Sequence, residues 1–298
     1  MNVRPQNRFL WIVLLAGLLL LVYGSSIRRM IQVWSTDPRY SHGFLVPLFS
    51  AYLLKKGLGK PEDQLQGRGA VRWGLGLVAL GLTIRFLGVV IHLDWFQVAS
   101  LLPLLAGIAF LIGGWPLFGL TWRPILFLGF MIPLPYRLEL AISEPLVRLS
   151  TQLSTYALQT LGLPAIARGN SIAIGDSVMG IAEACSGLGM VLMFLALATA
   201  LAMLWPAAWI QRLLLVASSI PIAVAANALR ITISGVLLVG FGDQLAFSVY
   251  HDVAGWLMMP LALVLLWVSI LGISRLFVTV DEHPRAGDAD AAGAGIHG

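Results

Sequence analysis

Residues Ala184 to Gln211 read ACSGLGMVLMFLALATALAMLWPAAWIQ, twenty-eight positions without an Asp, Glu, Lys or Arg. A helix needs roughly 20 apolar residues to cross the ~30 Å hydrocarbon core of a bilayer, and Trp205-Pro206 breaks this stretch at about that length. Uncharged runs flank it on both sides: Phe9–Ile27, Tyr40–Leu54, Trp95–Trp122, Pro124–Tyr136, Leu213–Leu229 and Val253–Ser274, while Trp73–Leu93 is interrupted only by Arg85. The block beginning at Trp95 is too long for one span. Gly113-Gly114 followed by Trp115-Pro116 supplies a turn, which predicts helices near 96–112 and 117–134. The fold class expected is therefore an all-α polytopic membrane protein of about eight spans, the second (about 41–54) being the shortest.

Composition agrees. Of the 298 residues 58% are hydrophobic and 11% charged, with mean hydropathy +0.87, whereas soluble domains carry about 25% charged residues. The net charge of +5 is spread between apolar blocks rather than gathered on one face, which excludes a nucleic-acid partner. One cysteine excludes an internal disulfide framework and a cysteine-clustered zinc site, and nothing calls for a metal or other cofactor. The apolar core of span one, Phe9–Tyr23, is at the upper limit for a signal sequence, and Tyr23-Gly24-Ser25-Ser26 is a poor cleavage site, so it reads as an uncleaved helix. Residues 1–280 form the expected integral membrane domain. The Ala/Gly/Asp-rich segment 281–298 reads as a disordered cytoplasmic tail.

Lys and Arg set the orientation. With alternating spans, Arg4, Arg8, Lys55, Lys56, Lys60, Arg68, Arg72, Arg123, Arg212, Arg275 and Arg285 fall on one side, and Arg28, Arg29, Arg39, Arg137, Arg148 and Arg168 on the other. Both termini are thus expected in the cytoplasm. The first three external arginines, in a short loop, count against this arrangement; the last three lie in a long external segment, where the charge rule is weak.

That segment spans about Pro135 to Ala184. Leu138, Ile142, Leu146, Leu149, Leu153 and Ala157 recur at helical spacing, opposite Glu139, Glu144, Arg148, Gln152 and Gln159. The pattern predicts an amphipathic helix on the outer leaflet or capping the bundle, stopped by Pro164. Asn170–Ile174 and Ser177–Ile181 flank Gly175-Asp176, a two-residue turn that predicts a β-hairpin leading into Glu183-Ala184-Cys185-Ser186-Gly187.

The candidate chemistry sits at one membrane face. Cys185 stands at the outer start of span six, where unpaired N–H groups and the positive end of the dipole favour a thiolate; Glu183 and Ser186 flank it. Arg230 lies inside span seven, and an ionisable residue there is functional by default, a structural ion pair being the competing reading. It is 18 residues from Arg212, or roughly 27 Å along a helix, close to the outer surface. Asn227, three residues earlier, shares its helix face. His251, in Tyr250-His251-Asp252 at the outer start of span eight, is the usual kind of base for a thiol, while Asp252 suits a helix cap. His42, in Tyr40-Ser41-His42-Gly43, lies at the same depth, and Arg85 is a weaker candidate or a helix–helix strut. Nucleophile, base and fixed cation on three spans at one depth suit acyl transfer.

At these residues the sequence resembles the exosortase/archaeosortase membrane transpeptidases. The resemblance rests on the Glu183–Gly187 box, Asn227-Ala228-Leu229-Arg230, and His251 with Gly255 four residues on, supported by Tyr40–Gly43 and Pro133-Leu134-Pro135. Archaeosortases carry Arg where this chain has His251, so the exosortase branch fits better. The family box usually reads Cys-Ser-Gly-Leu-Arg; Gly189 stands in place of that Arg. The resemblance implies Cys185, Arg230 and His251 as catalytic residues in a cytoplasmic (inner) membrane enzyme whose site faces the periplasm or exterior. The implied clients are exported proteins ending in a short Pro-Glu-Pro-like motif, a transmembrane helix and a basic cluster. Cleavage would pass through a thioester, resolved by an amine acceptor or water. A transporter or lipid-linked glycan polymerase, with Arg85 and Arg230 binding an anionic head group, remains the alternative, and a non-catalytic scaffold is a third reading.

Overall fold

Helix α1 (Pro5–Thr36) is followed by a 3₁₀ segment (Pro38–Phe44), α2 (Leu45–Leu58), α3 (Val71–Val90), the short α4 (Asp94–Ala99) and the long α5 (Leu101–Phe127). After a 3₁₀ turn at Leu128–Met131 come α6 (Tyr136–Thr160), strands β1 (Ala165–Arg168), β2 (Ser171–Ile174) and β3 (Ser177–Gly180), then α7 (Leu188–Leu204), α8 (Trp209–Phe241) and α9 (Asp243–Leu276). The computed structural model describes residues 5–58, 71–175, 177–181, 187–241 and 243–276, with the backbone alone at 5–12, 16, 58, 241 and 243–259. The tail expected at 281–298 lies outside the described residues.

Gly114 breaks α5. Its φ of 64° and ψ of −151° belong to a region that only glycine enters without strain. The rings of Phe110 and Phe118 stack with centroids 4.2 Å apart across the break, although eight residues of straight helix span about 12 Å. Val98 and Phe127 share one apolar cluster with Met30, Trp34 and Met131, so the chain returns to the level from which it left. The turn expected at Gly113-Gly114 is therefore a helical hairpin. Gly74 and Gly81 of α3 line its first leg and Gly88 lies against α4, and the missing side chains let the helix backbones approach closely.

Among the described residues four helical stretches are long and apolar enough to cross a membrane: Val13–Thr36, Val71–Val90, Asp94–Met131 and Trp209–Gly240. Leu188–Leu204 and Pro260–Leu276 are shorter apolar helices. The chain is thus a helical, multi-pass membrane protein. Four long stretches stand against the eight expected spans, in part because one of them, Asp94–Met131, doubles back at Gly114. The expected second span also shortens: Pro38–Phe44 is taken up by the 3₁₀ segment, which leaves α2 with 14 residues.

The arginines that counted against the orientation are not in an open loop. No Gly or Pro follows Ile27 until Pro38, so α1 continues to Thr36 and carries Arg28 and Arg29. Arg29 pairs with Asp94 at 2.7 Å and donates to Gln97 Oε1 at 2.8 Å. Arg39 pairs with Asp37 and Glu139.

The amphipathic helix expected after Pro135 is present as α6, and Glu144, Arg148, Gln152 and Gln159 of its expected polar face are exposed. Ser150, Thr151, Ser154, Thr155, Val147 and Leu158 are buried, while Leu138, Leu149 and Leu153 are more than 40% exposed. Small hydroxyl residues permit close helix contact and can hydrogen-bond across it. Ser154 Oγ accordingly donates to the Ala228 carbonyl of α8 at 3.0 Å.

The hairpin at Gly175 is present with the expected two-residue turn, Ile174 pairing with Ser177 and Gly175 at φ 58°. A strand not expected, β1, pairs antiparallel with β2 across a second turn at Gly169-Asn170. Ala165, Ile172, Ile174 and Ile181 pack with Leu158 of α6 and Ile231 of α8. The sheet therefore rests on the part of α8 that continues beyond Arg230.

Candidate active site

Helix α8 presents an inward face of Ala223, Ala226, Asn227, Arg230 and Ile231, of which Asn227 is fully buried and Arg230 is 8% exposed. The i, i+3 spacing of Asn227 and Arg230 puts both polar groups on one stripe. Asn227 Nδ2 donates to Ser150 Oγ of α6 at 3.0 Å. An amide with no exposure needs such partners, since an unsatisfied buried group costs about 1–3 kcal/mol.

Against the same amide nitrogen stands Gly187, which caps the N-terminus of α7. Its φ is 81°, in the left-handed region, and a Cβ there would lie 3.0 Å from Asn227 Nδ2 and 3.6 Å from Ser150 Oγ. Conformation and space both require glycine at this position. The end of the Glu-Ala-Cys-Ser-Gly box and the start of the Asn-Ala-Leu-Arg box, 40 positions apart in sequence, therefore meet. A family model described as transmembrane exosortase matches residues 34–268. The chain belongs to that family. No curated protein and no solved structure gives a match.

In this exosortase Glu183, Cys185 and Ser186 lie outside the described residues, Cys185 being two positions before Gly187 in sequence. His251 and Asp252 are in α9, whose backbone alone is described there. Because α9 begins at Asp243, His251 is more than two turns inside it rather than at its start, and Asp252 is not placed to cap it. Helix α9 packs along α8 and touches α7.

The first turn of α7 has a second neighbour, the 3₁₀ segment Pro38–Phe44. Arg39 Nε donates to Asp37 Oδ1 at 2.9 Å, Nη2 donates to Asp37 Oδ2 at 2.7 Å, and Nη1 donates to Glu139 Oε1. Tyr40 Oη donates to Glu139 Oε2 and accepts from the Leu134 N–H, both at 3.2 Å. Burial alone would raise the Asp37 carboxyl, but the hydrogen bonds and charge of Arg39 outweigh it and hold the group below its ordinary value. Burial, together with the charge of Glu139, pushes the Tyr40 phenol up to about 12, so it stays a donor to that carboxylate at neutral pH.

His42, expected among the supporting residues, is buried with Nε2 3.2 Å from the Phe130 carbonyl. Burial lowers its pKa against the pull of the Phe130 and Arg39 carbonyls. Its ring is engaged in joining the Pro38–Phe44 segment to the 3₁₀ turn at Leu128–Met131. Arg85 is a strut: it donates to the Val22 carbonyl, reaches the Gln97 carbonyl at 3.3 Å and lies 4.2 Å from the Tyr23 ring centroid. A cation over a tyrosine face contributes about 0.5–2 kcal/mol.

Ser150 and Glu139 escaped the sequence reading as members of the site's surroundings. The signal for Ser150 is the hydroxyl recurrence Ser150-Thr151, Ser154-Thr155 at helical spacing on α6. A cavity of about 510 Å³ opens nearby between α1, α4 and the Ile132–Tyr136 segment. Pro133, Pro135, Trp95 and Thr36 are among its walls.

Proposed function

We propose that this exosortase is a cysteine transpeptidase of the cytoplasmic membrane, acting on exported proteins whose C-terminal sorting signal joins a short motif to a transmembrane helix and a basic cluster. Residues 1–280 act as its catalytic domain. The observation that supports the reading most is the seating of Gly187 against Asn227, because it brings the segment ending the cysteine box to the helix face that carries Arg230.

In this mechanism the Cys185 thiolate attacks the scissile carbonyl carbon and forms a C–S bond. Arg230, 8% exposed on the inward face of α8, stabilises the developing oxyanion. His251 takes the thiol proton and returns it to the leaving amine as the C–N bond breaks, leaving a thioester. An amine acceptor then attacks the thioester, its lost proton passing to His251, and a new amide forms while the thiolate is regenerated; water in the same place gives hydrolysis. Anchoring of both client and enzyme in one bilayer supplies proximity, so a large soluble binding surface is unnecessary. The engagement of Arg85 with the Val22 carbonyl and the Tyr23 ring favours this enzyme over a transporter that would need Arg85 for a head group.

The orientation is tested by labelling. A membrane-impermeant maleimide added to intact spheroplasts is expected to modify Cys185, the chain's single cysteine. Reporter fusions after Arg72 and Arg275 are expected to read cytoplasmic, and one within 159–170 external. An internal reading for the last fusion, with Cys185 protected until the membrane is opened, would invert the arrangement.

A further inference from the structure

A Cβ on Gly189 would stand 2.9 Å from the Cα of Arg39 and 3.3 Å from its Cβ and Cγ. The nearest of these atoms is backbone, which cannot rotate aside, so the 3₁₀ segment lies directly on the first turn of α7. Two positions earlier Gly187 makes the corresponding approach to Asn227 and Ser150. The start of α7 is thus held on two sides, and α6 contributes to both: Ser150, near its middle, bonds Asn227, and Glu139, in its first turn, takes Arg39.

The guanidinium of Arg39 is committed to this structure. It faces Asp37 and Glu139, with the Tyr40 ring centroid 6.0 Å away. Its side chain is 18% exposed and that of Glu139 16%. Removing one partner of so enclosed a pair leaves a charge poorly solvated, which costs more than loss of a surface ion pair. Tyr40 Oη donates to the same carboxylate and accepts from the Leu134 N–H, and so ties in the segment before α6. A guanidinium occupied on both sides by carboxylates has little capacity left for a substrate oxyanion. Its action on the reaction is indirect.

We propose that Arg39 and Glu139 are positioning residues for the reacting thiol, their ion pair pressing the Pro38–Phe44 segment against Gly189 and so fixing the first turn of α7 that follows Cys185. This rests on the reading of Cys185 as nucleophile. Gly189 is the point at which the pressure is transmitted, and a side chain there separates the two backbones. A displacement of about 1 Å at a reacting group costs on the order of 100-fold in rate. The turn also carries the N–H groups that favour a thiolate, so its shift changes the pH at which Cys185 reacts.

The test uses the full-length enzyme in its membrane or in detergent, with four variants: Glu139→Gln, Arg39→Lys, Gly189→Ala and Cys185→Ala. Client processing is measured together with the rate of iodoacetamide alkylation of Cys185 from pH 6 to pH 10, and detergent melting reports folding. Glu139→Gln keeps the shape but not the charge, and is expected to slow processing about tenfold or more and to move the midpoint of alkylation to higher pH. Gly189→Ala is expected to do the same with the ion pair intact, while Arg39→Lys, which keeps a charge, retains intermediate activity. Wild-type processing and an unmoved alkylation profile in Glu139→Gln and Gly189→Ala would overturn the proposal while Cys185→Ala remained inactive. Slower processing with a lower melting point but an unmoved profile would also overturn it, leaving a purely structural pair. Activity in Cys185→Ala would remove the underlying reading instead.

Discussion

Cys185→Ala is expected to abolish client cleavage and leave insertion into the membrane intact. The proposed reaction has no other nucleophile, since the sequence holds one thiol. Cys185→Ser is expected to be nearly as inactive. A hydroxyl ionises far above a thiol, and a helix start with one weak base does not close that gap. Both variants are checked by the accumulation of unprocessed client in membranes that contain normal amounts of the enzyme. Insertion is expected to survive because the described contacts around the start of α7 involve Gly187 and Gly189, and neither is altered.

Arg230→Lys is expected to cost about 100- to 1000-fold in rate, the usual consequence of removing one oxyanion stabiliser. The substitution keeps the charge and loses the planar fork, so it separates geometry from electrostatics. Arg230 is 8% exposed on a helix face shared with Asn227, whose amide is tied to Ser150. A lysine there has no rigid plane with which to repeat the arrangement. His251→Ala differs in its signature. Its deficit is expected to be larger at neutral pH than at high pH, where the thiol ionises unaided and the base matters less for attack. Processing rate against pH for the two variants distinguishes the roles. Wild-type rates from both would reduce these residues to supports of the fold.

Gly113-Gly114 and Gly175 were legible in the sequence because a turn that needs positive φ selects glycine, and the structure uses Gly114 and Gly175 in that way. Gly169-Asn170 is the same kind of signal, yet β1 was missed because it begins directly after the Pro164 that stops α6. For α6 the sequence left open whether its apolar face lay on the outer leaflet or capped the bundle. Periodicity shows which residues are apolar, but not whether the apolar face meets protein or lipid. The structure buries the hydroxyl stripe at Ser150 and Ser154 and leaves Leu149 and Leu153 exposed. Arg29 and Arg39 looked like loop charges because an acidic partner of each is distant in sequence: Asp94 lies 65 positions from Arg29 and Glu139 100 from Arg39. For the site, the pairing of Gly187 with Asn227 follows from the two boxes that carried the family resemblance. The clamp of Ser150, Arg39 and Glu139 around them is a matter of tertiary packing, which single-residue spacing does not encode.

The central claim is that a client is held on Cys185 as a thioester. The measurement that bears on it most directly is a brief incubation of enzyme with client, quenched in acid and separated without reductant. A covalent client–enzyme species is expected, absent from Cys185→Ala, released by neutral hydroxylamine and mapped by mass spectrometry to the peptide containing Cys185. Client processing at the wild-type rate with no such species at any time, or a species that survives hydroxylamine and persists in Cys185→Ala, would contradict the account.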